Sequence, residues 1–155
     1  MIIKTPTKYF LAAGASEGYS SLNAFDGALL DAGVGNLNIV KMSSIIPPHC
    51  QKISPCPIAA GSLVPAAYAI ITSDMQDEYI SAAVAVAIPT DTECPGLIME
   101  YSARGRKKDI ENIVRQMAEQ GMLIRKQAIK EIQSTSIEYK VKKISASFAG
   151  VILWD

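Results

Sequence analysis

A hydroxyl on the β-carbon of a residue can cut the peptide bond on that residue's amino side. The run Ile39-Val-Lys-Met-Ser43-Ser44-Ile-Ile-Pro47-Pro48 presents such a hydroxyl at Ser44, at the end of an apolar segment and ahead of a proline stop. Ser44 Oγ can attack the carbonyl carbon of Ser43 and move the acyl group from nitrogen to oxygen. β-Elimination then releases a chain ending at Ser43 and leaves dehydroalanine at position 44. Its hydrolysis frees ammonia and leaves a ketone at the head of the second chain. Strain in the Ser43–Ser44 peptide and an oxyanion donor would speed the first step. The dipeptide alone reads more simply as a turn before prolines, so its flanks must decide.

Three other polar residues stand where chemistry is possible. On a helical wheel Leu22, Phe25, Leu29 and Leu30 form an apolar arc with Asp26 inside it, while Asp31 points to solvent. A carboxylate on a buried face needs a partner. It serves either as a structural ion pair or cap, or as a bidentate partner for a guanidinium. Glu100 follows Leu97-Ile98-Met99, and strand alternation puts it on the face of Ile98. Desolvation there favours the neutral acid, which suits a proton donor; a rim-exposed strand glutamate is the plainer reading. Asn38 lies six residues before Ser44, about 20 Å along a straight strand. It is either a loop-stabilising amide or a group that serves the site of another copy. Cys50, Cys56 and Cys94 lack Cys-x-x-Cys spacing and have only His49 to help them, so no metal site is expected and the thiols read as reduced.

The segments Leu22-Asn-Ala-Phe-Asp26-Gly-Ala-Leu-Leu30, Ile39 to Pro48 and Gly96-Leu-Ile-Met-Glu100-Tyr101, in that order, resemble the pyruvoyl-dependent arginine decarboxylase family. The resemblance runs from about Phe10 to Trp154. It implies cleavage into 1–43 and 44–155, with Ser43 the new carboxy terminus and Ser44 the source of a covalent pyruvoyl cofactor. That ketone forms a Schiff base with the substrate amine and accepts electrons from the carbon that loses CO₂, as pyridoxal phosphate does. The resemblance makes Glu100 the proton donor and Asp26 the guanidinium anchor, and implicates Asn38 in processing or catalysis. It also places Ser43, Gly35 and Leu37, with Val34, around the substrate. It implies a homotrimer or dimer of trimers whose active sites lie between protomers, turning L-arginine into agmatine and CO₂. Asp26 would attract other cationic amino acids too, so a pyruvoyl decarboxylase of different preference is one alternative. An unprocessed, non-enzymatic paralogue is another.

Composition bounds the partners. Of 155 residues 49% are hydrophobic and 19% charged, lean enough in charge to suggest apolar surface hidden in an oligomer. Fifteen basic and fifteen acidic residues leave no basic field for nucleic acid or anionic lipid. No apolar run approaches the roughly 20 residues of a membrane span, and 10–13 is too short for a signal-peptide core, so a cytoplasmic protein is expected.

The elements that must position these groups follow from pattern. A strand is expected over 8–13, ending at Gly14, then a helix capped by Ser20 or Ser21, running to about Ala32 and stopped by Gly33. Strands are expected over 37–43, 63–73, 79–88, 97–103, 132–141 and 145–154, with a strand-poor proline loop around Pro47, Pro48, Pro55 and Pro57. A second helix spans 108–120 with Gly121 as its stop, carrying Glu111–Arg115 and Arg115–Glu119 pairs. Two helices among some seven strands make one α+β domain over 1–155, with sheet packed on sheet. The family resemblance sharpens this to a four-layer α-β-β-α sandwich.

Overall fold

The computed structural model describes residues 4–155. Nine strands and two helices occur in the order β1 (Lys8–Glu17), α1 (Ser21–Asp31), β2 (Asn38–Lys41), β3 (Ile45–Ile46), β4 (Gln51–Lys52), β5 (Leu63–Ser73), β6 (Tyr79–Pro89), β7 (Gly96–Arg104), α2 (Lys107–Ile124), β8 (Ile129–Lys140) and β9 (Ser145–Trp154). The two strands beyond the seven expected are the two-residue pieces β3 and β4, which interrupt the proline loop. The fold is α+β. One sheet has the order β2-β5-β9-β1-β4 and the other β3-β7-β6-β8.

Alternation assigns each face of the five-stranded sheet a different neighbour. Tyr9, Ala67, Ala69, Ala149, Val151 and Leu153 pack with Ala82, Val84, Val86 and Ile98 of the four-stranded sheet. From the opposite face, Phe10, Ala12, Ala66, Phe148 and Ile152 pack with Ala24 and Ala28 of α1. The outer face of the other sheet, through Ala83, Ala85, Ala87 and Leu97, meets Ile110, Val114, Ala118 and Met122 of α2. β6 is buried on both sides, which is why it reads as an unbroken apolar run.

Helix α1 begins as expected, with Ser20 Oγ accepting the Asn23 amide, and ends at Gly33, whose φ of +80° suits glycine. The face it buries is only in part the expected one: Phe25 and Leu29 pack, half-buried, against the sheet cluster. Leu22 and Leu30 are exposed and Asp26 with them, while Ala24 and Ala28 lie against the sheet. Close approach decides this. A Cβ on Gly14 would strike the Ala28 carbonyl and the Ala32 amide, and one on Gly18 would strike the Ala24 backbone. The helix beds down on glycines of and beside β1, with Ala24 and Ala28 at the closest approach and Phe25 and Leu29 beside them. Asp31 is exposed as expected, but its Oδ2 accepts the Ala15 amide at 2.9 Å.

Gly121 does not stop α2, which continues to Ile124. A Cβ there would meet the side chains of Leu97 and Met99, so this glycine lets the helix lie close on β7. Nor do Glu111 and Arg115 pair along the helix surface. Glu111 accepts from Ser134 and Ser136 at 2.7 and 2.6 Å, and Arg115 donates to Ser134 Oγ and the Ile132 carbonyl. These bonds tie α2 to β8, a partner in tertiary structure that i,i+4 spacing cannot reveal.

Candidate active site

The Ser43–Ser44 peptide lies where the chain leaves one sheet for the other. β2 ends at Lys41, two residues short of the expected strand, and the Met42 amide makes a last bond to the Ala66 carbonyl of β5 at 3.0 Å. Two residues later the Ser44 carbonyl accepts from the Ile98 amide of β7 at 2.8 Å, and β3 begins at Ile45, paired with Leu97. Ser43, between them, is exposed, and Ser44 is half-buried. The bond between the serines is therefore a bridge whose two ends are held by different sheets. The expected strain does not take the form of a left-handed backbone at these serines. The nearest left-handed residue is His49 (φ 63°) in the loop beyond, whose Nε2 lies 3.2 Å from Glu93.

Glu100 projects from β7 two residues after Ile98, on the face turned toward the other sheet, and is half-buried. Burial pushes its pKa above the ordinary carboxylate value, and Lys41 opposes that rise. Two residues further, Ser102 Oγ donates to the Ile70 carbonyl of β5 at 3.0 Å, a direct link between the sheets. Ser44 is thus bonded to the stretch of β7 that bears Glu100, two residues before it.

The remaining expected residues lie elsewhere in the single chain. Asp26 is exposed on α1 in one stripe with Leu22 and Leu30, spaced i, i+4, i+8. That helix covers the face of the five-stranded sheet opposite the one that meets β7, so Asp26 and Glu100 are not brought together. Asn38 is exposed, and its Nδ2 donates to the Gly61 carbonyl at 2.9 Å, the bond of a loop-stabilising amide. Leu37 is half-buried against the α1 cluster. Gly35 is pressed on Leu30, and Val34, at 1% exposure, is core rather than channel wall. A cleft of about 400 Å³ lies beside the crossing, lined among others by Ile46, Pro47, Cys50, Cys94 and Lys130. It takes in none of Asp26, Asn38, Ser44 or Glu100.

Two contributors escaped the sequence reading. Lys41 Nζ donates to the Tyr68 carbonyl at 3.2 Å and stands 4.6 Å from the centre of the Tyr68 ring. Ser102 reaches across to β5. Both side chains bond across strand edges, and alternation along a strand carries no signal for that.

The model of the pyruvoyl-dependent arginine decarboxylase family matches residues 8–153. A protein of that name from Methanocaldococcus jannaschii is 46% identical over 151 residues, 97% of this chain and 92% of the relative. The one from Methanococcus aeolicus is 50% identical over the same shares. The one from Pyrococcus abyssi is 43% identical over 97% of this chain and 96% of its own.

Proposed function

The chain belongs to the pyruvoyl-dependent arginine decarboxylase family, and on that premise we propose that it cuts itself between Ser43 and Ser44 and decarboxylates arginine at the end so formed. The enzyme is a lyase with a covalent pyruvoyl cofactor, yielding agmatine and CO₂. The observation that carries the residue assignment is the serine pair bridging two sheets beside a half-buried carboxyl whose pKa is raised.

The residues present fit the group. Ser44 supplies the hydroxyl, its carbonyl is already anchored to the Ile98 amide, and Ser43 has room to depart because it is exposed. The new ends need not drift, since one belongs to a strand paired with β5 and the other to a strand paired with β7. When present, the pyruvoyl ketone supplies an electron sink for the carbon that loses CO₂. Glu100 holds the proton that this carbon must receive. Burial keeps it protonated at pH values where an exposed glutamate would be ionised.

Asp26 anchors the guanidinium, with Asn38, Gly35, Leu37 and Ser43 around the substrate, in a site shared by adjacent protomers of a trimer or a pair of trimers. Support comes from what one chain leaves open. Leu22 and Leu30, flanking Asp26, are 73% and 55% exposed, and Tyr19, Val40 and Leu63 are exposed as well. A neighbour seated on this stripe would desolvate Asp26 and make it an effective fork for a guanidinium. The layers stack as an α-β-β-α sandwich in this reading, since each sheet packs one face on the other sheet and one on a helix. Among the described residues no helix is long and apolar enough to cross a membrane. Three free cysteines suit the reducing cytoplasm as its place of work.

Intact-mass spectrometry tests the reading. Two species, 1–43 and 44–155, are expected, the larger blocked to amino-terminal sequencing, while Ser44→Ala stays whole and inactive. A persistent single species in the unaltered protein would make it an unprocessed paralogue. Turnover of lysine or ornithine in preference to arginine would reassign the substrate.

A further inference from the structure

Three successive carbonyls on the open side of β5, those of Ala66, Tyr68 and Ile70, point toward β7. They are taken in turn by the Met42 amide (3.0 Å), Lys41 Nζ (3.2 Å) and Ser102 Oγ (3.0 Å). Across the gap, Ile98 bonds Ser44, and Ser102 bonds Ile70. Glu100 lies midway between Ile98 and Ser102 on the same face of β7, as Tyr68 lies midway between Ala66 and Ile70 on β5. A two-residue step is about 6.6–6.8 Å on both strands. The Tyr68 carbonyl, which holds the Lys41 ammonium, and Glu100 are therefore at the same level along the two strands.

Resting on the reading of Glu100 as proton donor, we propose that Lys41 is a positioning residue that sets the proton affinity of Glu100 and supplies the counter-charge for the carboxylate left after donation. Lys41 is the one charged group that bears on Glu100; the same inter-sheet layer also holds the Tyr9 hydroxyl, which donates to Gln133, and the Cys50 thiol. β6 presents Ala82, Val84 and Val86 there, β9 presents Ala149 and Val151, and β3 presents Ile46. On β5 the Tyr68 ring turns to the α1 side. Arg104 is paired with Glu78 at the far end of β7, and Glu111 and Arg115 are bound to β8 on the other face. The direction is consistent: burial raises the Glu100 pKa and Lys41 lowers it. Burial strengthens the hold on the proton, and the cation tempers that.

The test compares Lys41→Met, which keeps the aliphatic stem over Tyr68, with Lys41→Arg, which keeps the charge. The Glu100 carboxyl is titrated by carbon-13 NMR in glutamate-labelled protein, its signal assigned by its loss in Glu100→Gln. This readout needs neither substrate nor a processed chain. In Lys41→Met the Glu100 pKa should rise by roughly half a pH unit, as expected for loss of one exposed charge, and Lys41→Arg should restore it. In the processed enzyme the basic limb of the kcat profile should move up by the same amount. An unmoved Glu100 pKa in Lys41→Met, with the fold intact by circular dichroism, would overturn the proposal. A pKa that moves while the kcat limb stays put would uphold the Lys41–Glu100 linkage and remove Glu100 from the role of donor.

Discussion

If the chain is cut after Ser43, the smaller piece should stay in place under native conditions, and Phe10→Ala should loosen it by an amount the structure sets. The piece 1–43 carries β1, α1 and β2. β1 is registered against β9 over its whole length, from Lys8↔Trp154 to Glu17↔Ser145, and β2 against β5 from Asn38↔Leu63 to Lys41↔Ala66. Tyr9, Phe10 and Val34 are almost wholly buried, each contributing roughly 1.5–3 kcal/mol. Phe10, at 3% exposure, packs in the cluster of Phe148 and Ile152 on the larger piece and Ala24 and Ala28 on its own. Truncating it to alanine should cost about 3–5 kcal/mol. In a cut protein that loss appears as release, a weakening of the two pieces' association by roughly two to four orders of magnitude. The assay is size-exclusion chromatography of the processed protein across a urea series, with the piece 1–43 quantified by mass. For an m-value of about 1–3 kcal/mol/M, the midpoint for release should fall by at least about 1 M in Phe10→Ala. An unchanged midpoint, or a wild-type piece that leaves on simple micromolar dilution, would refute the claim that the sheet ladders and this cluster hold the cut chain together.

Glu100→Gln should separate the two chemistries. Self-cleavage survives, while turnover falls by about 10²–10⁴, the usual contribution of a positioned acid. With Glu100 as the donor the protonated form is the active one, and since burial raises its pKa, wild-type kcat should be full at low pH and decline as pH rises through that raised value. A decline beginning in the ordinary glutamate range would contradict it. Co-expressing Asp26→Ala with Glu100→Ala should restore activity that neither variant has alone, about a quarter of wild type for random equal mixing in a trimer. Mixed trimers that form and stay inactive would place all the groups in one chain's own site.

The order of elements, the capped start and glycine end of α1, the long strands and the α+β class all follow from local rules of alternation, capping and turn chemistry, which a one-dimensional chain displays. The candidate roles of Ser44 and Glu100 are legible through the family motifs around them, while alternation gives the face of Glu100 from its distance to Ile98. Tertiary structure decided what local rules cannot express. Leu22, Leu30 and Asp26 form the apparent inner arc of α1 on a wheel. The close approach at Gly14 and Gly18 turns the helix so that Ala24 and Ala28 lie deepest, Phe25 and Leu29 stay half-buried, and Leu22, Asp26 and Leu30 face outward. Gly121 reads as a stop and is a contact point against Leu97 and Met99, because a missing side chain has the same symbol in a turn as in a tight packing. Lys41 reads as an ordinary strand-end lysine. It becomes part of the site because the open carbonyls of β5, some 27 residues further along the chain at Tyr68, lie against the strand that bears Glu100. Side chains that reach past a strand edge answer to the three-dimensional neighbour, and that neighbour exists only once both sheets have formed.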